Sequence, residues 1–380
     1  MQFELNGTRV KFTGDLELPL LTYLREFASI KSPKNGCAPQ AACGACTVDL
    51  NGKAVLSCVI PMRKVAGGIV TTIEGLGSYR QQVFANAFAE KGGLQCGFCI
   101  PGIVIRANTL INNNPSPAWE EIEQALTPNL CRCTGYKKII DSVLYAADAI
   151  RNEEQIHSPK GSGKVGSRQS KYQAQQLILG QHQYVDDIDI PGMLYGALKF
   201  SDHPRAVVRS IDVSMAAPIE GVIKVFTAED IPGERFIGLI HNDWPLLVAE
   251  GETTRYVGDV LAVVAAETEE IARQAADAIA VEYQVLSPLT NVRQAMEPDA
   301  PLIHASGNIL SQTNIQRGDM VNAQQKSAFV AKGKYETQRI EHGFMEPEAA
   351  IAYPHEDAIV VLSQGQGIYE DQAQIASLLG

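Results

Sequence analysis

Over the first 75 positions the apolar residues recur mainly with period two, interrupted by one helical stretch. MQFELNGTRVKF alternates around Asn6-Gly7, a pair that favours the tight turn of a β-hairpin. LPLLTYLREF, residues 18–27, instead spaces its apolar side chains as one helix face. Thr47–Leu50 and residues 53–57 flank a second turn pair, Asn51-Gly52. From residue 76 the period lengthens, and helices are predicted over 81–89, 102–112, Trp119–Leu126 and Lys137–Arg151. Pro101 falls at the first helical position, where its missing N–H costs nothing. Residues 152–172, NEEQIHSPKGSGKVGSRQSKY, are polar and small and read as a linker. Strands and helices then alternate over 173–298. GVIKVF and DVLAVVA read as buried strands, and 269–283 as an amphipathic helix running into a strand.

Composition adds bounds. A chain of 380 residues with 45% hydrophobic and 20% charged positions is globular and too long for one ordinary domain. Lys plus Arg number 32 and Asp plus Glu 43, so the net charge of −11 opposes non-specific nucleic-acid binding. No apolar run reaches the roughly 18 residues that span a bilayer. MQFELNGTRV lacks the charged-then-apolar pattern of a secretory signal. A cytoplasmic protein without nucleic-acid or membrane partners is expected.

Chemistry enters with the cysteines. All eight lie in the first 133 residues, as two quartets: Cys37, Cys43, Cys46 and Cys58, then Cys96, Cys99, Cys131 and Cys133. Without an export signal a disulfide framework is disfavoured. Four thiolates suit zinc or an iron–sulfur cluster. The first spacing, C-x5-C-x2-C-x11-C, is one residue longer in its first loop than the plant-type [2Fe–2S] pattern. In the second, Cys131 and Cys133 are one residue apart, an awkward knuckle for tetrahedral zinc. Gly36, Gly44, Ala41, Ala42 and Ala45 let the first loop fold tightly. Both quartets therefore favour [2Fe–2S] clusters over zinc.

GCAPQAACGACTV, QCGFCIPG and NLCRCTGY together resemble the iron–sulfur half of the xanthine dehydrogenase and aldehyde oxidase family of molybdenum hydroxylases. The family usually has Gly where this chain has Ala41. DIPGMLYGALKFSDHPRAVVRSID, FTAEDIPG and RYVGDVLAVVA resemble its α/β hammerhead domain, and residues 299–380 the opening of its molybdenum-binding domain. The resemblance implies an α+β multidomain chain. Residues 1–75 would be a β-grasp, ferredoxin-like [2Fe–2S] domain and 76–151 a four-helix [2Fe–2S] domain. After the linker at 152–172, residues 173–298 would be the hammerhead and 299–380 the beginning of the molybdopterin-binding domain. The linker is too short to hold a flavin domain, so no FAD is expected and the layout resembles the flavin-free bacterial branch. Because 299–380 would only open a domain, the chain is expected to be an N-terminal fragment or one piece of a split gene.

The resemblance further implies oxidative hydroxylation of a purine or another N-heterocycle, the purine-hydroxylating, xanthine dehydrogenase-like branch being the one the tail resembles most, or of an aldehyde. Electrons would run from molybdenum through the inner cluster (Cys96, Cys99, Cys131, Cys133) to the outer one (Cys37, Cys43, Cys46, Cys58). They would leave to an external acceptor or a separate flavin subunit, and a homodimer is the expected assembly. Gln95 and Cys133 would lie at the pterin of the molybdenum cofactor, and Gln366 beside the molybdenum, with Gln364 the alternative two residues earlier. No catalytic residue is expected within this stretch. The alternative is a stand-alone iron–sulfur electron-transfer subunit whose remaining residues only dock.

Three other patterns are expected to carry no chemistry. GSGKVGS lacks the Ser or Thr that follows Lys in a phosphate loop. Asp186, Asp187 and Asp189 read as a solvated acidic turn. His342 and Glu346, four apart, would share a helix face, but Pro347 disfavours helix there.

Overall fold

The computed structural model describes residues 1–159, 161–167 and 169–380; Lys160 and Arg168, two positions of the expected linker, lie outside the described residues. The chain divides into two compact units, one formed by Met1–Ile188 with Thr337–Gln364, the other by Asp189–Glu336 with Gly365–Gly380.

In the first unit β1 (Gln2–Leu5) and β2 (Thr8–Lys11) form the hairpin that the alternation predicts, with Asn6 and Gly7 both at positive φ. β3 (Thr47–Leu50), β4 (Lys53–Leu56) and β5 (Ile69–Thr71) complete a five-stranded sheet of order β2-β1-β5-β3-β4. β5 is parallel to β1 and antiparallel to β3. Helix α1 (Leu20–Thr22) continues as a π turn over Tyr23–Phe27. It buries Leu20 and Leu24 against Val48, Val70 and Met62, all fully buried. This is the β-grasp arrangement.

Four helices follow: α2 (Ser78–Lys91), α3 (Ile100–Asn113), α4 (Trp119–Leu126) and α5 (Lys137–Arg151). Their apolar stripes meet in one core in which Phe84, Phe88, Ile103, Ile122 and Val143 are all fully buried. α2 ends on Gly92 at φ 68°, the left-handed cap that glycine takes at no steric cost. α3 packs so closely on the loop before β3 that a Cβ on Gly102 would lie 2.7 Å from the Gly44 carbonyl oxygen. A short helix, α6 (Ala174–Ile178), buries Leu177 and Ile178 against the same core.

In the second unit β6 (Tyr195–Phe200) and β8 (Val222–Phe226) flank β11 (Val260–Ala266) in an antiparallel three-stranded sheet; β7 (Ala206–Asp212) pairs with β12 (Ala280–Val285). The two-residue strands β9 (Phe236–Ile237) and β10 (Trp244–Pro245) pair nearby in sequence. α7 (Glu269–Ala278) starts from Thr268, whose hydroxyl accepts from the Ile271 N–H. It presents Ala272, Ala275 and Ala276 to β11, small residues that let helix and sheet approach closely.

Residues 299–380 are divided between the units. The hairpin of β13 (Ile351–His355) and β14 (Ala358–Leu362) belongs to the first, and a helix over Ile368–Leu379 to the second.

Candidate functional site

Both cysteine quartets lie in the first unit, and none of the eight forms a disulfide. The outer quartet hangs on the loop between α1 and β3 and the turn after β4. Cys43, Cys46 and Cys58 are buried; Cys37 is half-buried beneath the exposed stretch 38–42. The loop must turn sharply, and Ala38, Ala41 and Gly44 all take positive φ, at 48°, 55° and 71°. The inner quartet brackets two helix starts. Cys99 is the N-cap residue of α3, while Cys131 and Cys133 precede α5, and loop N–H groups reach the sulfurs, that of Phe98 on Cys96 and those of Cys133 and Thr134 on Cys131.

The sulfurs meet in twos. Cys133 Sγ stands 3.7 Å from Cys96 Sγ across 37 residues of chain, and Cys99 is in side-chain contact with Cys131. In the outer quartet Cys37 contacts Cys43, and Cys46 contacts Cys58. The pairs within a quartet are near enough to act on each other electrostatically. Among the described residues, however, no three His, Cys, Asp or Glu side chains converge on one point as a single metal ion requires. One tetrahedral zinc with Zn–S near 2.3 Å would hold all four sulfurs about 3.8 Å apart. Two adjacent pairs are the donor set of a two-iron cluster, each iron taking two thiolates.

The electrostatics of the thiols point the same way. Burial pushes Cys43 up to about 11 and Cys46 and Cys96 up to about 12. Cys99 is raised by its hydrogen bond to Cys131 and by burial. Cys131 is drawn down to about 5, first by the Cys99 thiol and then by Thr134, against its own burial. Burial thus disfavours the thiolate form at most of these sulfurs, and holding four of them as thiolates would need cations between them. Iron in these positions would supply that charge.

The backbone around the inner quartet is well tied. Leu130 N–H donates to the Cys43 carbonyl (2.8 Å), and Asn129 Nδ2 to that of Gly44 (2.9 Å), linking the two cysteine loops. Tyr136, at φ 69°, receives the Cys131 N–H on its hydroxyl (2.8 Å) and donates to the Asn129 carbonyl (3.0 Å). Arg132, between two cysteines, donates to the carbonyls of His342 (2.5 Å) and Glu341 (2.8 Å).

Gln95 is exposed and its Nε2 donates to the Cys133 carbonyl at 2.6 Å, so these two expected pterin neighbours stand together. Gln366 is exposed and belongs to the second unit. Both it and Gln364 lie beyond β14, so strand alternation does not relate them. Gln364 is engaged locally: it donates to Glu346 Oε1 (2.9 Å) and the Pro347 carbonyl (2.6 Å), and accepts from the Ala349 N–H (3.2 Å). His342 and Glu346 lie outside any helix, as Pro347 predicts. The acidic turn differs from expectation. Asp187 is 4% exposed and ion-paired to Arg25 and Lys34, both also buried. Sequence reasoning missed this group because nothing in SPKNGC marks Lys34 as a core residue; a run of three acids beside the linker was its one signal.

Three family models match: a [2Fe-2S] binding domain over residues 72–144, the aldehyde oxidase and xanthine dehydrogenase a/b hammerhead domain over 179–287, and a molybdopterin cofactor-binding domain over 303–380. The aldehyde oxidoreductase of Megalodesulfovibrio gigas is 31% identical over 398 residues, covering 99% of this chain and 44% of the relative. The nicotinate dehydrogenase small FeS subunit of Eubacterium barkeri is 37% identical over 153 residues, 40% of this chain and 97% of that protein. Among solved structures, aldehyde oxidoreductase from Desulfovibrio gigas superposes with a TM-score of 0.90 at 29% identity, covering all of this chain and 44% of that one. The chain thus spans less than half the length of the aldehyde oxidoreductase it matches. Among the described residues no helix is long and apolar enough to cross a membrane.

Proposed function

Since the chain belongs to the xanthine dehydrogenase and aldehyde oxidase family of molybdenum hydroxylases, we propose that its first 151 residues wire a molybdenum centre to an electron acceptor through two [2Fe–2S] clusters. Cys37, Cys43, Cys46 and Cys58 hold the outer cluster, and Cys96, Cys99, Cys131 and Cys133 the inner. The two-by-two meeting of the sulfurs carries this reading. The molybdenum cofactor, when bound, supplies the hydroxylating chemistry, a two-electron oxidation, and the clusters remove its electrons one at a time. This chain's residues hold the relay. Gln95, whose side chain holds the Cys133 carbonyl, would neighbour the pterin together with Cys133, while Gln366 is the candidate on the molybdenum side.

The substrate is a purine, another N-heterocycle or an aldehyde, and the acceptor is external or a separate flavin subunit. The match to an aldehyde oxidoreductase along 99% of the chain supports an aldehyde first. The match of 303–380 to a molybdopterin cofactor-binding domain supports the enzyme over a stand-alone electron-transfer subunit. The family matches likewise support the division into two cluster domains, hammerhead and opening molybdenum domain. The test is spectroscopic. Reduced, iron-loaded protein should show two distinguishable rhombic [2Fe–2S] signals, and Cys133→Ala should remove one of them. Stoichiometric zinc with no iron would overturn the assignment.

A further inference from the structure

Residues 184–187 lie after the linker, outside both cysteine loops, yet they touch each side of the relay. Asp187 is buried between two cations from the ferredoxin-like domain: its Oδ1 lies 3.0 Å from Arg25, and its Oδ2 meets Lys34 Nζ. Lys34 is 1% exposed and sits three residues before Cys37. A one-turn helix locks Asp187 to Tyr184, since the Asp187 N–H donates to the Tyr184 carbonyl (2.9 Å) and Asp187 Oδ2 accepts the Tyr184 N–H (3.2 Å). The Tyr184 ring covers Lys34 Nζ at 4.8 Å and meets Phe98 edge-on at 5.3 Å. Its hydroxyl donates to the carbonyl of the inner cysteine Cys96 at 2.8 Å. The approach is close enough that a Cβ on Gly97, at φ 87°, would stand 3.1 Å from that hydroxyl.

We propose that Tyr184 and Asp187 are positioning residues of the electron relay: they strap the inner cluster's Cys96–Cys99 loop to the outer-cluster domain and hold it at its working potential. Buried ion pairs seldom stabilise a fold more than apolar packing of the same shape would. What the Arg25–Asp187–Lys34 group supplies is directional: one carboxylate with two fixed donors admits one placement of the segment, whereas an apolar plug admits several. The hydroxyl at the Cys96 carbonyl also draws electron density from a ligand of the inner cluster, which favours the reduced cluster.

The inference rests on the cluster assignment above, and two readouts on the full chain separate them. Tyr184→Phe keeps the ring and removes the donor. In an electron-resonance redox titration it should lower the midpoint potential of the signal that Cys133→Ala abolishes and leave the other signal in place. By hydrogen exchange, the amides of 97–99 should open roughly three- to tenfold faster, the loss of one net hydrogen bond. Asp187→Asn should accelerate the same amides and make the inner signal heterogeneous. Should Asp187→Asn fail to fold, Tyr184→Phe decides alone. Unchanged exchange at 97–99 with an unmoved inner potential in Tyr184→Phe overturns the strap. Absence of any [2Fe–2S] signal in the unsubstituted chain overturns the cluster assignment instead, and exchange on that same protein still decides the strap.

Discussion

Gly102→Ala sets two local rules against each other. Gly102 lies in the first turn of α3, where alanine should gain up to about 1 kcal/mol in helix propensity. The new Cβ would stand 2.7 Å from the Gly44 carbonyl oxygen and 3.0 Å from that of Ala45. Both neighbours are backbone, and the loop they belong to is tied down by Asn129 Nδ2 on the Gly44 carbonyl and Lys34 N–H on that of Ala45. It therefore cannot swing aside as a flexible side chain would. Overpacking of this kind costs roughly 1–3 kcal/mol, and two fixed carbonyls put it at the upper end. The net expectation is a loss of about 2 kcal/mol. For a unit of this size that lowers the midpoint by roughly 4–8 °C. Gly44 and Ala45 separate Cys43 from Cys46, so the displacement falls on the outer ligand loop. Calorimetry of the loaded protein measures the midpoint, and electron resonance reports which cluster changes. The outer signal should shift or lose occupancy while the inner one persists. A raised midpoint with both signals unaltered would refute the reasoning, because propensity would then have outweighed a contact the loop could relieve.

Other residues give independent checks. Ala41→Gly relieves a left-handed alanine at φ 55°, a strain of about 1 kcal/mol, and should slow loss of the outer cluster to a chelator. Burial alone would raise the Glu252 carboxyl, but Arg235 grips it through two hydrogen bonds (2.6 and 2.9 Å) and the Ala249 N–H adds a third, so it sits below its ordinary 4.5. A depressed carboxylate stabilises the fold above its unfolded value and loses that contribution as pH falls. Stability of the second unit should therefore decline below about pH 4.5, and Glu252→Gln should flatten that decline in acid-unfolding curves. Arg132→Met removes the donors to the carbonyls of Glu341 and His342. Protease cleavage within 337–346 should accelerate while both cluster signals survive.

Much of the local structure was legible in advance because its causes are local. Trp119–Leu126 and Lys137–Arg151 are helices with the bounds that apolar spacing predicts, and the Asn6-Gly7 and Asn51-Gly52 turns sit where their backbone preferences place them. The helix around 18–27 was legible only in part. Its period is helical, but the turn over Tyr23–Phe27 widens to a π geometry, which no spacing rule anticipates. Gln364 shows the same limit. Strand alternation treats it as the twin of Gln366, whereas the strand ends at Leu362 and Gln364 turns to Glu346 and Pro347.

The sequence by itself determined the chemistry available: cysteines in two quartets, small residues that let loops close around them, and helices that begin beside them. These are properties of residue type and of neighbours within a few positions. Only the tertiary structure decided which sulfur meets which. Cys96 lies three residues from Cys99 yet pairs with Cys133, because α4 packs on both α3 and α5 in one core and the loops at their N-termini are carried along. It also decided that Asp187 is no solvated acid. The segment following the linker is drawn onto the first unit, where two cations await it far earlier in the chain. Such pairings depend on contacts between residues dozens to more than a hundred positions apart, and the free energy that selects them belongs to the packed core rather than to any stretch of chain.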